Sequence, residues 1–436
     1  MVDERLRRLG EENMTMMMDR RALLAGVGLL ALPAEVWAKG APDYPALKAF
    51  LDSYVTSKKL PGMVIAIKRD GDPVKYMSGG TAAFDSDVAM TPESIFRIYS
   101  MTKPITGLAV MKLIEDGKLT LETPVADVIP EFKSMQVITD PKTMTTAPVT
   151  KVMKIRHLLT HSSGLSYGIG RGPLAALYNK NGITPGSREK SRQPGEDVDP
   201  ITSLEDMVQR LSKIPLDFEP GTRWEYSVAF DVLGLVIKRV SGMGFYEYLK
   251  KSFFIPLKMH DTDFVVAKDK LGRFTSEIAV KDGQRITVDD RAHSAFALDR
   301  DLPSGGGGLT STAHDYIRFT SMLINEGTLD GVRVVKAETA RIARSNLLEP
   351  GVLFGFGPGG KNGYGAGVAV VLPGGERPGE EPAGSFWWFG IAGTQFWVDP
   401  SNKFSVVCML QEYPTVDPVQ REVRLAAYKD LAAIKG

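Results

Sequence analysis

Ser100-Met101-Thr102-Lys103 sets a hydroxyl and an amine three positions apart, just before Pro104 and an apolar run from Ile105 to Ile114. A proline is tolerated in the first turn of a helix, where the amide it lacks has little or no partner. The spacing therefore predicts a helix that begins at or just before Ser100. Residues three apart share a helical face, which puts the Lys103 amine beside the Ser100 hydroxyl. Serine alone is a poor nucleophile and needs a base within hydrogen-bond reach. Lysine becomes that base once burial or a cationic neighbour lowers its pKa. The helix N-terminus adds amides and a positive dipole where an oxyanion would form. S-x-x-K is short and recurs at ordinary helix starts, so the other catalytic groups must be sought elsewhere in the chain.

A single lysine has to both take and return protons, so Ser100 and Lys103 call for a third group. Tyr226-Ser227-Val228 is a candidate: it follows Gly221-Thr222-Arg223-Trp224-Glu225 and precedes a helical stretch. A tyrosine next to a lysine ionises more easily, because the cation favours the phenolate. Tyr226 is one of 13 tyrosines, and residue type alone leaves core packing as its ordinary role. Trp387-Trp388-Phe389-Gly390 runs into Ile391-Ala392-Gly393-Thr394. Small residues on an edge strand let a substrate carbonyl approach closely. A backbone amide at Ile391 would complete an oxyanion hole with that of Ser100, with Trp388 and Gly390 beside the substrate. The plain alternative is a hydrophobic strand with a glycine bulge.

Gly164-Leu165-Ser166-Tyr167-Gly168 competes for the nucleophile, because it fits the G-x-S-x-G elbow and Asp290 and His293 would complete a triad on paper. That elbow needs a buried strand before it and a helix after it. Here Ile155 to His161 reads as helix and the following residues as loop, which speaks against Ser166. His157 and His161 have metal spacing but lack the intervening glutamate of a zinc hydrolase, and no third ligand is evident. They read as helix-packing or capping residues, and no metal is expected. Gly305 to Gly308 lacks the lysine and spacing of a phosphate loop and reads as a tight turn.

The elements that must position these groups come from both ends of the chain. Leu47, Phe50, Leu51 and Tyr54 fall on one helical face, and Gly62–Ile67 and Lys75–Met77 read as strands joined by Asp70-Gly71-Asp72. Strand signals return at 367–372, 385–390, 395–398 and 404–410, and 419–434 reads as an amphipathic helix. Val228–Val240 and Leu309–Ile324 have helical spacing, the latter with Thr310-Ser311-Thr312 as caps. Between Leu121 and Tyr226 strand signals are sparse. The expected organisation is residues 39–120 and 228–436 forming an α/β domain around an antiparallel sheet, with 121–227 inserted as a mainly helical domain with long loops.

Composition bounds the function. The chain has 436 residues, 43% of them hydrophobic, enough for a large core. A net charge of +1 with no basic stripe argues against nucleic acid as partner. Cys408, the only cysteine, excludes an intramolecular disulfide and reads as a buried strand residue. Residues 1–38 resemble a bacterial signal segment: Arg20-Arg21 has a twin-arginine flavour, and the apolar run Ala22 to Pro33 is too short for a stable membrane span. Export to the periplasm is expected.

Several stretches together resemble the serine β-lactamase and penicillin-binding-protein superfamily, in particular class C β-lactamases and family VIII carboxylesterases. They are Phe96 to Lys103, Ile155 to Leu165, Pro220 to Ser227, Pro256 to Thr262 and Gly307 to Thr312. The resemblance spans Ala46 to the C-terminus. It implies an α+β, DD-peptidase-like fold, an antiparallel sheet flanked by helices with an all-helical domain beside it. It also implies acylation of Ser100, with Lys103 and Tyr226 sharing the proton work, and no cofactor.

Two departures narrow the expectation. The second box of the family usually reads Tyr-x-Asn, and Val228 holds the third position here. The lactamase third box is K-T-G, and Trp388-Phe389-Gly390 stands in its place. Tryptophan cannot give a carboxylate the charge-assisted hydrogen bond of a lysine, but it can pack on an apolar group. The expected function is a carboxylesterase for short-acyl esters of small molecules, with β-lactams as weak secondary substrates. A β-lactamase or D-alanyl-D-alanine peptidase, an acyltransferase and a non-catalytic peptidoglycan-binding relative are the alternatives.

Overall fold

Seven strands of alternating or continuous apolar character form one antiparallel sheet. In this computed structural model, which describes residues 42–169, 172–183, 201–298, 302–356, 361–416 and 418–435, they come from the two ends of the chain. The signal-like segment 1–38 and most of the Gly/Pro-rich loop before Pro200 lie outside the described residues. The strands are β1 (Gly62–Arg69), β2 (Lys75–Gly80), β3 (Asn362–Tyr364), β4 (Ala369–Val371), β5 (Phe386–Phe389), β6 (Gln395–Asp399) and β7 (Phe404–Met409). Their order in the sheet is β3-β4-β5-β6-β7-β1-β2. C-terminal β7 pairs with N-terminal β1, Ile65 opposite Cys408, so the two ends of the chain close on each other in the middle of the sheet.

Both faces are covered, which is why β1, β6 and β7 are apolar almost throughout. Helices α1 (Pro45–Thr56) and α5 (Val419–Lys435) cover one face. Leu47, Phe50, Leu51 and Tyr54 of α1 are buried there with Met63, Ile65 and Cys408. Each such side chain contributes about 1.5–3 kcal/mol of transfer free energy. The other face receives α2 (Thr102–Glu115) and α4 (Ala313–Ile324). Helix α2 is buried on all sides from Thr102 to Met111, and apart from Thr102, Lys103 and Thr106 that stretch is apolar. It packs in turn on α3 (Ala229–Ser241).

The described part of residues 121–227 carries the short helices Val125–Val128, Ile155–Leu159, Pro173–Lys180 and Leu204–Leu211, together with a hairpin of Gln136–Asp140 and Thr145–Pro148. A second hairpin, Glu277–Lys281 with Gln284–Asp289, has alternation too weak to stand out in the sequence. Thr310–Thr312 differs from its expected place at a helix start. It is a short strand paired with Ile95–Arg97, and only Thr312 caps α4, its hydroxyl accepting from the Asp315 amide at 3.0 Å. Among the described residues no helix is long and apolar enough to cross a membrane.

Candidate active site

Ser100 sits just outside the helix expected to start with it. Tyr99–Met101 form a single 3₁₀ turn, and the α-helix begins at Thr102. The reason is backbone: Tyr99 has φ +42°, a left-handed conformation costly for a residue with a side chain. Its phenol anchors that conformation, donating to the Glu277 carboxylate, with Oε1 at 3.0 Å and Oε2 at 2.9 Å. The turn is pinned on its other side as well. The Ile98 amide donates to the Leu309 carbonyl at 3.1 Å, the Leu309 amide to Thr102 Oγ1 at 3.1 Å, and the Tyr316 hydroxyl to the Met101 carbonyl at 2.8 Å.

Ser100 Oγ lies 3.2 Å from Lys103 Nζ and accepts a hydrogen bond from the Tyr226 hydroxyl at 2.7 Å. Tyr226 comes from the segment just before α3, 126 positions away in sequence. Lys103 is fully buried, and burial pulls its amine from the usual 10.5 down to about 7, with Asp231 pulling the other way. Such an amine is half neutral near neutral pH and available as a base. Tyr226 behaves opposite to its sequence expectation. Burial of its hydroxyl raises the phenol pKa, and the Ser100 hydrogen bond only partly offsets this. Burial outweighs any pull of the half-protonated Lys103 toward a phenolate, so Tyr226 stays protonated and can donate.

Two further groups hold the Lys103 amine that sequence reasoning did not assign. Nζ lies 3.0 Å from the Tyr167 hydroxyl and donates to the Gly306 carbonyl at 2.6 Å. Tyr167 belongs to the G-x-S-x-G stretch, so that segment reaches the site through its tyrosine. Ser166 Oγ only accepts from the Gly168 amide at 3.4 Å. Gly305 to Gly308 form the expected tight turn, threaded between α2 and α3. A Cβ on Gly306 would lie 2.6 Å from Asp231 Oδ2 and 3.0 Å from the Tyr167 hydroxyl, which is why that position is glycine.

His157 and His161 do structural work. His157 Nδ1 accepts from the Lys154 amide at 3.2 Å, capping the Ile155–Leu159 helix. His161 Nδ1 accepts from the Ser227 amide at 3.2 Å, and its ring packs on Tyr226 with centroids 4.6 Å apart. Burial first, and the Lys103 charge second, hold His161 well below its ordinary pKa and therefore neutral. Among the described residues no cluster of histidine, cysteine and carboxylate could hold a metal ion.

The Trp388-Phe389-Gly390 segment borders the turn that carries Ser100. Strand β4 ends opposite Trp387, so Trp388 to Gly390 run on as a local edge beyond it. Gly390 passes so near the turn that a Cβ would sit 2.5 Å from the Ile98 carbonyl oxygen. Trp388 is only 1% exposed, lying under Phe356 and against Tyr226, so its indole supports the site from below and presents no open surface. Its N–H leans toward the Tyr226 hydroxyl without reaching hydrogen-bond geometry. Phe356 is an exposed aromatic 5.4 Å from the Tyr226 ring, missed in the sequence because nothing local marks it. Ile391 is exposed in the turn after β5, its carbonyl accepting from the Thr415 amide at 3.0 Å. Neither its own amide nor that of Ser100 donates to another described residue. A cavity of about 220 Å³ lined by Trp387, Arg377, Glu381 and Arg424 reaches Phe356 but includes none of Ser100, Lys103 or Tyr226.

A family model described as Beta-lactamase matches residues 47–429. The chain belongs to the Beta-lactamase family. An uncharacterized protein of Mycobacterium tuberculosis is 32% identical over 370 residues, covering 82% of this chain and 86% of that one. Esterase EstB of Burkholderia gladioli is 30% identical over 385 residues, covering 83% and 89%. Among solved structures, EstCE1, described as a hydrolase with promiscuous acyltransferase activity, superposes with a TM-score of 0.73 at 24% identity, over 88% of this chain and 98% of that one. The Beta-lactamase fold is thus shared over nearly the whole described chain, an α+β arrangement of one antiparallel sheet with many helices.

Proposed function

We propose that the chain is a carboxylesterase that hydrolyses short-acyl esters through an acyl-enzyme on Ser100. The observation that carries this reading is the Ser100 hydroxyl held between an amine and a phenol of opposite pKa shift. Neutral Lys103 takes the Ser100 proton as Oγ attacks the ester carbonyl. The oxyanion forms against the free amides of Ser100 and Ile391. Tyr226 gives its proton to the departing alkoxide and is reprotonated by Lys103, so the first step releases the alcohol. Water then attacks the acyl-enzyme by the reverse relay and releases the acid. The likeness to esterase EstB supports an ester substrate.

Val228 and Trp388 supply no polar side-chain contact where a charged lactam carboxylate would need one, and both are buried apolar groups here. This favours neutral esters over β-lactams. The test is a side-by-side assay of p-nitrophenyl acetate and butyrate against nitrocefin. The esters should give the higher kcat/KM. Faster turnover of nitrocefin would make the protein a β-lactamase instead.

A further inference from the structure

The Lys103 amine makes its shortest contact with a main-chain oxygen, the carbonyl of Gly306 at 2.6 Å. Something must hold that carbonyl in place. The Gly306 amide donates to Asp231 Oδ1 at 3.2 Å, and the Ser304 hydroxyl donates to the same oxygen. Ser304 Oγ in turn accepts from the Gly307 amide at 3.1 Å. Asp231 lies in the first turn of α3, five residues after Tyr226, and is only 5% exposed. One carboxylate thus fastens the turn that touches the base to the helix that follows the phenol.

The same carboxylate is the charge Lys103 responds to. The groups that face the amine are Ser100 from the nucleophile turn, Tyr226 and Asp231 from α3 and its entry, and Tyr167 and His161 from the 161–168 loop. Burial keeps Tyr226 and Tyr167 protonated and His161 deprotonated, so these three are neutral near pH 7. Among the described residues Asp231 alone acts on Lys103 as a charge, favouring the ammonium against the pull of burial.

We infer that Asp231 is a positioning residue for Lys103. Its carboxylate fixes the Gly306 carbonyl against the amine, and its charge sets the pH at which that amine becomes a base. The inference rests on Lys103 being the base in the proposed ester hydrolysis.

The test is the pH dependence of kcat/KM on p-nitrophenyl butyrate for the wild type, Asp231→Asn, Ser304→Ala and Lys103→Ala. Asparagine keeps an acceptor oxygen and loses the charge. In Asp231→Asn the midpoint of the acid limb should move to lower pH, by on the order of one unit, with the alkaline plateau within about threefold of wild type. Ser304→Ala keeps the charge and loosens the turn, so its plateau should fall with the midpoint unmoved. It also carries the test if Asp231→Asn does not fold. A midpoint that stays put or rises in Asp231→Asn overturns the inference, as does a wild-type plateau in Ser304→Ala. Wild-type turnover in Lys103→Ala would instead overturn the base assignment, so the two failures are distinguishable.

Discussion

Ser100 and Ser166 both stand in stretches that fit motifs of serine hydrolases, and their surroundings could hardly differ more. Ser100 Oγ is met by a buried amine and a buried phenol. Ser166 sits in a left-over arc of loop, its amide donating to the Tyr178 hydroxyl at 2.9 Å and its hydroxyl turned onto the Gly168 amide. The histidine and aspartate that would complete a triad for it, His293 and Asp290, bond to each other at 3.1 Å on an exposed turn. A nucleophile is made by what tertiary packing brings within reach of it, and a motif only says where to look. The G-x-S-x-G loop still contributes, through Tyr167 on the lysine.

The sharpest way to break this contrast is to exchange the losses. Ser100→Ala should lower ester turnover by about 10⁴-fold or more, and Ser166→Ala should leave it within about threefold. The reverse pattern in a p-nitrophenyl butyrate assay would hand the role to Ser166. Next in size is Tyr226→Phe, which removes the proton donor and keeps the ring packed on His161 and Trp388. A fall in kcat of about 10²–10⁴-fold is expected, with thermal stability near wild type. An unchanged kcat would mean that Lys103 works without it.

The smallest effect concerns stability. Lys103 has a folded pKa near 7 against 10.5 in the open chain, so between these values the unfolded state binds one more proton. The wild type should therefore lose stability relative to Lys103→Met as pH falls from 10.5 toward 7, at up to about 1.4 kcal/mol per pH unit. The difference should level off below 7, where both states hold the proton. Urea melts of the two proteins at several pH values would show it. A flat difference across that range would mean that the amine is not buried as described.

The periodic elements were legible because their signal is local. The four apolar positions of α1 and the apolar runs of β5 to β7 are written in consecutive residues, and the Asp70-Gly71-Asp72 turn needs only its own chemistry. The short Thr310–Thr312 strand was read as helix start because it is a strand only through Ile95–Arg97, over 200 positions away. The 3₁₀ turn at Ser100 was missed for a related reason. Tyr99 adopts its left-handed backbone only because Glu277 and the surrounding hydrogen bonds hold it there.

By itself, the sequence determined the one-turn spacing of hydroxyl and amine, the family, the strands and the departures at Val228 and Trp388, all of which are matters of residue type and short-range order. Tertiary structure alone decided that Tyr167, Gly306 and Asp231 converge on Lys103, that Trp388 lies beneath the site while Phe356 faces solvent, and that burial holds the tyrosine protonated while it brings the lysine down to about 7. The last point has a single physical cause. Desolvation shifts an acid and a base in opposite senses, and how much water is excluded depends on how distant parts of the chain close around the pair.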